Sequence, residues 1–372
     1  MSESLREKSN KRILVLANND VGLYRFRKDL IEELLKNGFE VYISLPDGGF
    51  VPNMIKLGCH FADTPIDRRG MNPLRDLSLF HRYCTILRKI KPDLVLTYTI
   101  KPNIYGGFAC RIAHIPYAVN ITGLGSAIEN GGRLRKFVLA LYKPALKSAK
   151  VVFFENSGNR DILVACGVVP DGKDVVLNGA GVNLDDYPYQ PYPNDGTVKF
   201  LFVGRVMHEK GVNEFFCAAK RMKQKYGNTV EFHIVGSFEE ANKPLIDALE
   251  RNGIVKYHGY QSDMKPFYAK ASCVVLPSYH EGMSNVLLEA AASGRPIITS
   301  DIPGCREAVE NGVSGYLCKP KDADELYSAM EKMAVLSCEA RADMGKTGRD
   351  LISRKFDKKT VVNETIERLM RN

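Results

Sequence analysis

The chain has 372 residues, with 52 Lys and Arg against 43 Asp and Glu and 45% apolar residues, values of a globular protein long enough for two domains. No apolar run reaches the ~18 residues of a spanning helix, and the polar, charged segment Met1–Asn10 argues against a secretory signal. The nine cysteines never form a Cys-x-x-Cys pair, which points to free thiols in a reducing cytosol and away from zinc or disulfide chemistry.

In chain order, Arg12–Ala17 reads as a buried strand, Asn18–Leu23 as a loop and Tyr24–Lys36 as a helix closed by Gly38. A strand is expected at Glu40–Leu45, a helix near Pro73–Ile90, a strand at Asp93–Tyr98 and a helix near Ile104–Ala113. Strand Pro116–Ile121, a basic helix near Arg133–Lys147 and strands Val151–Phe154 and Asp174–Leu177 follow. Tyr187–Gly196, with three prolines and a terminal Asn-Asp-Gly turn, reads as a linker. A second alternation then begins: strand Lys199–Val203, helix Val212–Tyr226, and strands Val230–Val235, Ile254–His258, Ser272–Leu276 and Pro296–Thr299. Helices over Asp322–Leu336 and Glu339–Lys355 precede a last helix introduced by Phe356-Asp357. Strands alternating with helices predict parallel sheets. The fold class is therefore α/β, with two doubly wound Rossmann-like domains facing a ligand cleft. The expected division is 1–190, 191–355 and a C-terminal helix, 356–372, that packs back on the first domain.

Two motifs in the second half carry chemistry. Gly204-Arg205 ends a strand, and Lys210-Gly211 stands just before a helix. Two cations at a strand end beside a helix N-terminus suit a diphosphate. Further on, Glu281-Gly282-Met283-Ser284-Asn285-Val286 leads into an apolar helix that contains one acid, Glu289. A carboxylate there costs several kcal/mol, in order of magnitude, unless something pairs with it. Ser284 or Asn285 is expected to cap that helix. Gly236 ends a strand where backbone can approach a nucleotide, and Gly259 and Tyr260 follow the next strand. The Pro303–Glu307 stretch is expected to be a loop packed below the bound ligand, with no catalytic role for Glu307.

The first half is less explicit. Gly22 is the only glycine of the first strand–helix loop, so no Gly-x-Gly-x-x-Gly fingerprint is present, which argues against a nicotinamide dehydrogenase. Gly22, Arg25, Arg27, Arg68, Arg69, Lys101, Asn103, Thr122 and Gly123 are candidates to line the cleft, several of them because they follow strand ends. Residues 66–150 hold fifteen Lys and Arg against four Asp and Glu. Within them, Leu134, Phe137, Val138 and Leu141 recur at helical spacing among basic residues, either to pack on the domain's own sheet or to lie on an anionic membrane surface. There is no zinc-finger spacing, RNP pattern or basic zipper, so nucleic acid is not expected as a partner. Asp322 and Asp324 look like a metal-binding pair, but N-capping explains Asp322 better, and the seven histidines show no ligand spacing.

The unbroken strand-Gly-Arg-x4-Lys-Gly stretch and the Glu281-x7-Glu289 spacing resemble the retaining glycosyltransferases of family 4, which have two Rossmann-like domains. The resemblance covers about residues 11–370. It implies that Gly204, Arg205 and Lys210 clamp the donor diphosphate. It also implies that Glu281 meets sugar hydroxyls, that Glu289 accepts from the nucleotide ribose and that Gly259-Tyr260 flank the base. The Met283–Val286 backbone would help hold the sugar. Many members carry His-Gly where this chain has Thr122-Gly123, so no histidine base is expected. The Lys101-Pro102-Asn103 and Gly123-Leu124-Gly125 stretches resemble a bacterial branch acting on undecaprenyl-diphosphate-linked sugars. The implied reaction joins a UDP-sugar donor to a lipid-linked saccharide at the cytoplasmic face of a membrane, with no metal or other cofactor. A UDP-sugar 2-epimerase of the same architecture and a non-catalytic partner subunit are the alternatives.

Overall fold

The structure is a computed structural model that describes residues 11–67, 70, 72–125, 128, 131–238 and 243–371. It divides into two compact units, Met1–Ala180 with Lys359–Asn372, and Gly181–Lys358.

The first unit is built on a seven-stranded sheet in the order β3-β2-β1-β4-β5-β6-β7. The strands are β1 (Arg12–Leu16), β2 (Glu40–Leu45), β3 (His60–Asp63), β4 (Leu94–Tyr98), β5 (Tyr117–Ile121), β6 (Val151–Phe154) and β7 (Asp174–Val176). Every neighbouring pair is parallel. Alternate residues of a strand face opposite ways. In β1, Ile13 and Val15 therefore enter one apolar core while Leu14 and Leu16 enter another. The first core is closed by α1 (Asp20–Lys36) and α2 (Val51–Leu57), and also by Val361, Val362 and Leu369 of the last helix, α13 (Lys358–Met370). The second is closed by α3 (Pro73–Ile90), α4 (Gly107–Ala113) and α5 (Gly132–Leu146). A short α6 (Ser157–Ala165) follows β6. A π-helical turn, Pro102–Gly106, leads into α4.

The second unit carries β8 (Val198–Val203), β9 (Val230–Val235), β10 (Lys256–Tyr257), β11 (Cys273–Leu276), β12 (Ile297–Ser300) and β13 (Gly315–Cys318). They form a six-stranded parallel sheet in the order β10-β9-β8-β11-β12-β13. Its helices are α7 (Val212–Tyr226), α8 (Lys243–Arg251), α9 (Lys265–Lys270), α10 (Asn285–Ala292), α11 (Ala323–Val335) and α12 (Cys338–Lys355). Among the described residues no helix is long and apolar enough to cross a membrane.

Several expectations change. The first helix starts at Asp20, not Tyr24, because Asn19 caps it, its side chain accepting from the Gly22 N–H at 2.6 Å. Gly22 therefore lies in a helical turn and not in a loop. The strand expected over Ile254–His258 shortens to two residues. Strands β3 and β13 and helices α2, α6, α8 and α9 escape the sequence pattern because each is short.

The proline-rich stretch Tyr187–Gly196 is not a loose tether. It is strapped onto the second unit by Arg295, a fully buried arginine whose Nη2 donates to the carbonyls of Gln190 (2.5 Å) and Pro191 (2.8 Å). The Tyr192 hydroxyl donates to Ser272 O at 2.9 Å and accepts from Arg341 Nε at 2.9 Å. Burial pulls the Arg295 guanidinium down to about 10. The division between units accordingly falls at 180/181, ahead of the strap.

Candidate functional site

A doubly wound sheet binds ligands outside the carboxyl ends of its strands, at the point where strand order reverses. In the second unit that point lies between β8 and β11. The two sequence motifs are the loops that leave these two strands. Gly211, at φ +70°, brings them together: a Cβ there would lie 2.0 Å from the Pro277 carbonyl oxygen. The Tyr279 N–H donates to Glu209 O at 2.9 Å and tightens the same contact.

Lys210 Nζ then meets Glu281 Oε1 at 2.5 Å, and the Ser278 hydroxyl donates to the same oxygen at 2.8 Å. Both side chains of the ion pair are mostly buried, with 18% and 13% of their surface exposed. Arg205 is exposed on the loop from β8. Lys210 of the first motif and Glu281, the first acid of the Glu-x7-Glu pair, 71 positions apart, thus meet directly.

Ser284 occupies the N-cap position of α10, but its side chain makes no cap hydrogen bond, contrary to the expected side-chain cap. Its backbone N–H is also engaged, donating to Gly304 O at 2.9 Å. The N–H groups that the helix itself leaves without acceptors at this end are those of Asn285 and Val286. Met283 is buried and packs in the core.

Glu289 is half-buried and not unpaired. Its Oε2 accepts from the Tyr268 hydroxyl at 2.9 Å. Tyr268, on α9, is fully buried. Burial and then the charge of Glu289 push its hydroxyl well above the usual range, so it remains a donor. Beyond β10, the Gly259 carbonyl accepts from the Gly236 N–H at 2.9 Å, and Tyr260 is exposed.

The candidates of the first unit mostly engage other residues of that unit. Arg27 pairs with Glu155, both largely buried, and lies over the Tyr98 ring. Arg25 lies over Phe50. Lys101 Nζ meets Asp76 Oδ1 at 2.6 Å, and the Tyr105 hydroxyl takes the other oxygen at 3.0 Å. Asn103 is 1% exposed and ties β4 to β5, accepting from the Thr97 hydroxyl and donating to Asn120 O. Thr122 and Gly123 follow β5, partly exposed. Arg68 and Arg69 lie outside the described residues.

On α5, Val138 is buried and Leu134 and Leu141 pack against the core, so most of the expected apolar stripe serves the domain's own interior. Phe137 is the exception, 60% exposed in a row with Arg133, Lys136, Lys143 and Lys147. Arg135 turns to Cys166.

Among the described residues, no group of three or more His, Cys, Asp and Glu side chains is placed to hold a metal ion. Asp322 caps α11, accepting from the N–H groups of Asp324 and Glu325. Sequence reasoning did not single out Tyr268, Ser278 or Arg295. Tyr268 and Arg295 act on partners reached only through the fold, and Ser278 acts on Glu281 three residues on, a spacing that carries no distinctive signal.

Two doubly wound parallel sheets, the second with a cation–carboxylate cluster at its switch point, define the GT-B class of glycosyltransferase. Residues 12–156 match the family model described as "Glycosyl transferase 4-like", and residues 197–334 the one described as "Glycosyl transferases group 1". The chain is 30% identical over 346 residues to N,N'-diacetylbacillosaminyl-diphospho-undecaprenol alpha-1,3-N-acetylgalactosaminyltransferase of Campylobacter jejuni, covering 87% of this chain and 89% of that one. It is 27% identical to UDP-Gal:alpha-D-GlcNAc-diphosphoundecaprenol alpha-1,3-galactosyltransferase of Escherichia coli, covering 84% of each. The fold is shared with HepE of Anabaena, crystallised with UDP and glucose (TM-score 0.79, 19% identity, 96% of this chain and 99% of that one). The chain belongs to the group 1 glycosyltransferases and is an enzyme of glycosyl transfer.

Proposed function

We propose that this protein moves a sugar from a UDP-sugar to a polyprenyl-diphosphate-linked saccharide in bacterial surface-glycan synthesis, with retention at the anomeric carbon. The donor half rests on one observation, the Lys210–Glu281 pair at 2.5 Å, four residues ahead of α10. The acceptor half is supported by the Campylobacter and Escherichia coli relatives, whose names specify undecaprenol-linked diphospho-sugars. UDP as the nucleotide is supported by the second of these names and by the Anabaena complex.

In this reading the bond between the anomeric carbon and the diphosphate oxygen breaks, and its electron pair stays on the diphosphate. Arg205 and Lys210 offset that charge, each a donor worth ~3–4 kcal/mol in a preorganised site. The Asn285 and Val286 N–H groups add the positive end of α10. Glu281 accepts from sugar hydroxyls, and Glu289, held by Tyr268, accepts from the ribose. The acceptor hydroxyl bonds to the anomeric carbon on the face the diphosphate leaves, and its proton passes to a diphosphate oxygen. No histidine base, metal or other cofactor is required.

The acceptor belongs to the first unit, which also meets an anionic membrane surface peripherally. Exposed Leu74 (77%) and Leu77 on α3, Ile112 (64%) on α4 and Phe137 on α5 stand among the basic residues of 66–150 and support that docking. A panel of UDP-sugars incubated with bacterial lipid extract, scored for UDP release and labelled lipid, tests the reading. Transfer that requires the extract is expected. A new sugar nucleotide from donor alone would replace it with epimerisation, and UDP binding without release from any donor would make the protein a binding subunit.

A further inference from the structure

The loop after β12, Asp301–Ala308, touches the donor cluster through three backbone contacts. Gly304 is buried at φ +85°, and a Cβ there would lie 2.2 Å from Gly282 O and 2.9 Å from Glu281 O. Its carbonyl accepts the Ser284 N–H at 2.9 Å. Its own N–H donates to Glu307 Oε2 at 2.7 Å. Next to it, Cys305 is fully buried, with Glu281, Lys210 and Glu307 all near enough to act on its thiol.

We infer that Glu307 is a positioning residue for glycosyl transfer. Its carboxylate fixes the Pro303–Gly304 peptide, whose neighbouring carbonyl in turn holds the Ser284 N–H and the turn Glu281–Ser284. This inference rests on the donor reading above. The N-terminus of α10 is thereby aimed by a residue that touches neither donor nor acceptor. Ser284 gives up its N–H to this link, which leaves Asn285 and Val286 to face an anion. A local role as a cap for the short turn Arg306–Ala308 is the simpler alternative, and it makes different predictions.

The link needs only an acceptor at the Glu307 position, so Glu307→Gln, with an amide oxygen in the same place, keeps it and Glu307→Ala loses it. Misplacing reacting groups by about 1 Å costs on the order of 10²-fold. Glu307→Ala should therefore lower kcat, normalised to UDP-binding sites, by about 10- to 100-fold, with donor KM within about threefold. Glu307→Gln should restore kcat to within about threefold of wild type. Amide hydrogen exchange of the full-length protein supplies a readout independent of catalysis. Protection at Gly282–Val286 should fall in Glu307→Ala and persist in Glu307→Gln.

Wild-type kcat per site in Glu307→Ala, or unchanged exchange at Gly282–Val286, would reduce Glu307 to a local cap. Equal impairment of both variants would mean that its charge, not the hydrogen bond, is used, which also overturns the inference. If the wild-type protein transfers no sugar, the donor reading fails by itself, and the exchange experiment still decides whether the link exists.

Discussion

The two units have the same architecture and use their polar residues in opposite ways. At the β8/β11 switch point of the second unit, loops bring Lys210 against Glu281, four residues ahead of α10, and Arg205 is exposed on the loop from β8. At the β1/β4 switch point of the first, Arg27 pairs with Glu155, Lys101 with Asp76, and Asn103 is sealed between two strands. The second unit sets the mostly buried Lys210–Glu281 pair at its strand ends, besides helix-surface pairs such as Arg221–Asp324 and Lys225–Glu331. In the first, basic residues of the outer helices stand beside exposed Phe137 and Ile112. A donor that carries a fixed diphosphate wants a preorganised cluster of charges. A surface meeting lipid wants many weak, salt-sensitive contacts.

The sharpest way to break this contrast is at the clamp. Arg205→Ala and Lys210→Ala should each cut kcat by ~10²–10³ with little change in melting temperature. Both retaining more than about a tenth of wild-type turnover would end the clamp assignment.

The first unit should answer to a different probe. Changing Arg133, Lys136 and Lys143 together to Glu should release the protein from anionic vesicles, at ~1 kcal/mol for each charge lost, while calorimetry finds UDP affinity unchanged. Flotation of the triple variant at low salt would show that the basic helix does not dock.

Arg295→Ala tests whether the strap is part of the second unit. It leaves the Gln190 and Pro191 carbonyls without their donor, at a cost on the order of 3 kcal/mol and several degrees of melting temperature. A shift under about one degree would mean the strap contributes nothing.

Glu281→Gln sharpens the picture of the cluster. Lys210 is held by Glu281 without a donor, so removing that charge should tighten UDP binding roughly three- to tenfold, as expected for a pair worth ~1 kcal/mol, while turnover falls. Weaker UDP binding would show that the pair does not compete with the diphosphate.

The smallest effect concerns pH. His233 Nδ1 and His258 Nε2 stand 2.9 Å apart, with their rings stacked. Glu231 and Lys256 flank them, with Phe267 against His258 and Glu250 and Lys270 near it. Burial lowers both below the ordinary 6.5, with each other's charge adding to it for His233. The unfolded chain then binds more protons, so this contribution is present above about pH 6.5 and is lost as pH falls below it. Melting temperature should decline between about pH 7 and 5.5, and less so in His258→Phe. Equal slopes in the two proteins would remove the pair as the cause.

Much of the second unit's site was legible because its motifs are local. Strand, Gly-Arg and Lys-Gly sit within the fourteen residues Val198–Gly211, and Glu281 and Glu289 lie on one turn and the helix it enters. The first unit was read less well because several of its candidates were chosen only by position at strand ends. Strand ends also hold residues that tie one strand to the next, as Asn103 does. Gly22 was misplaced because the capping role of Asn19 went unrecognised.

By itself, the sequence determined the alternation of strands and helices, the two-unit α/β class and the positions of the candidate clamp and acid motifs. These follow from hydrophobic periodicity and short-range spacing, which neighbouring residues decide. Only the tertiary structure decided that Lys210 meets Glu281, that Tyr268 holds Glu289, and that Arg295 binds the strap. It also decided that Arg27 and Lys101 are spent on Glu155 and Asp76. These partners lie from 21 to 128 residues apart, and such pairings are set by strand order and loop packing, which no local pattern encodes.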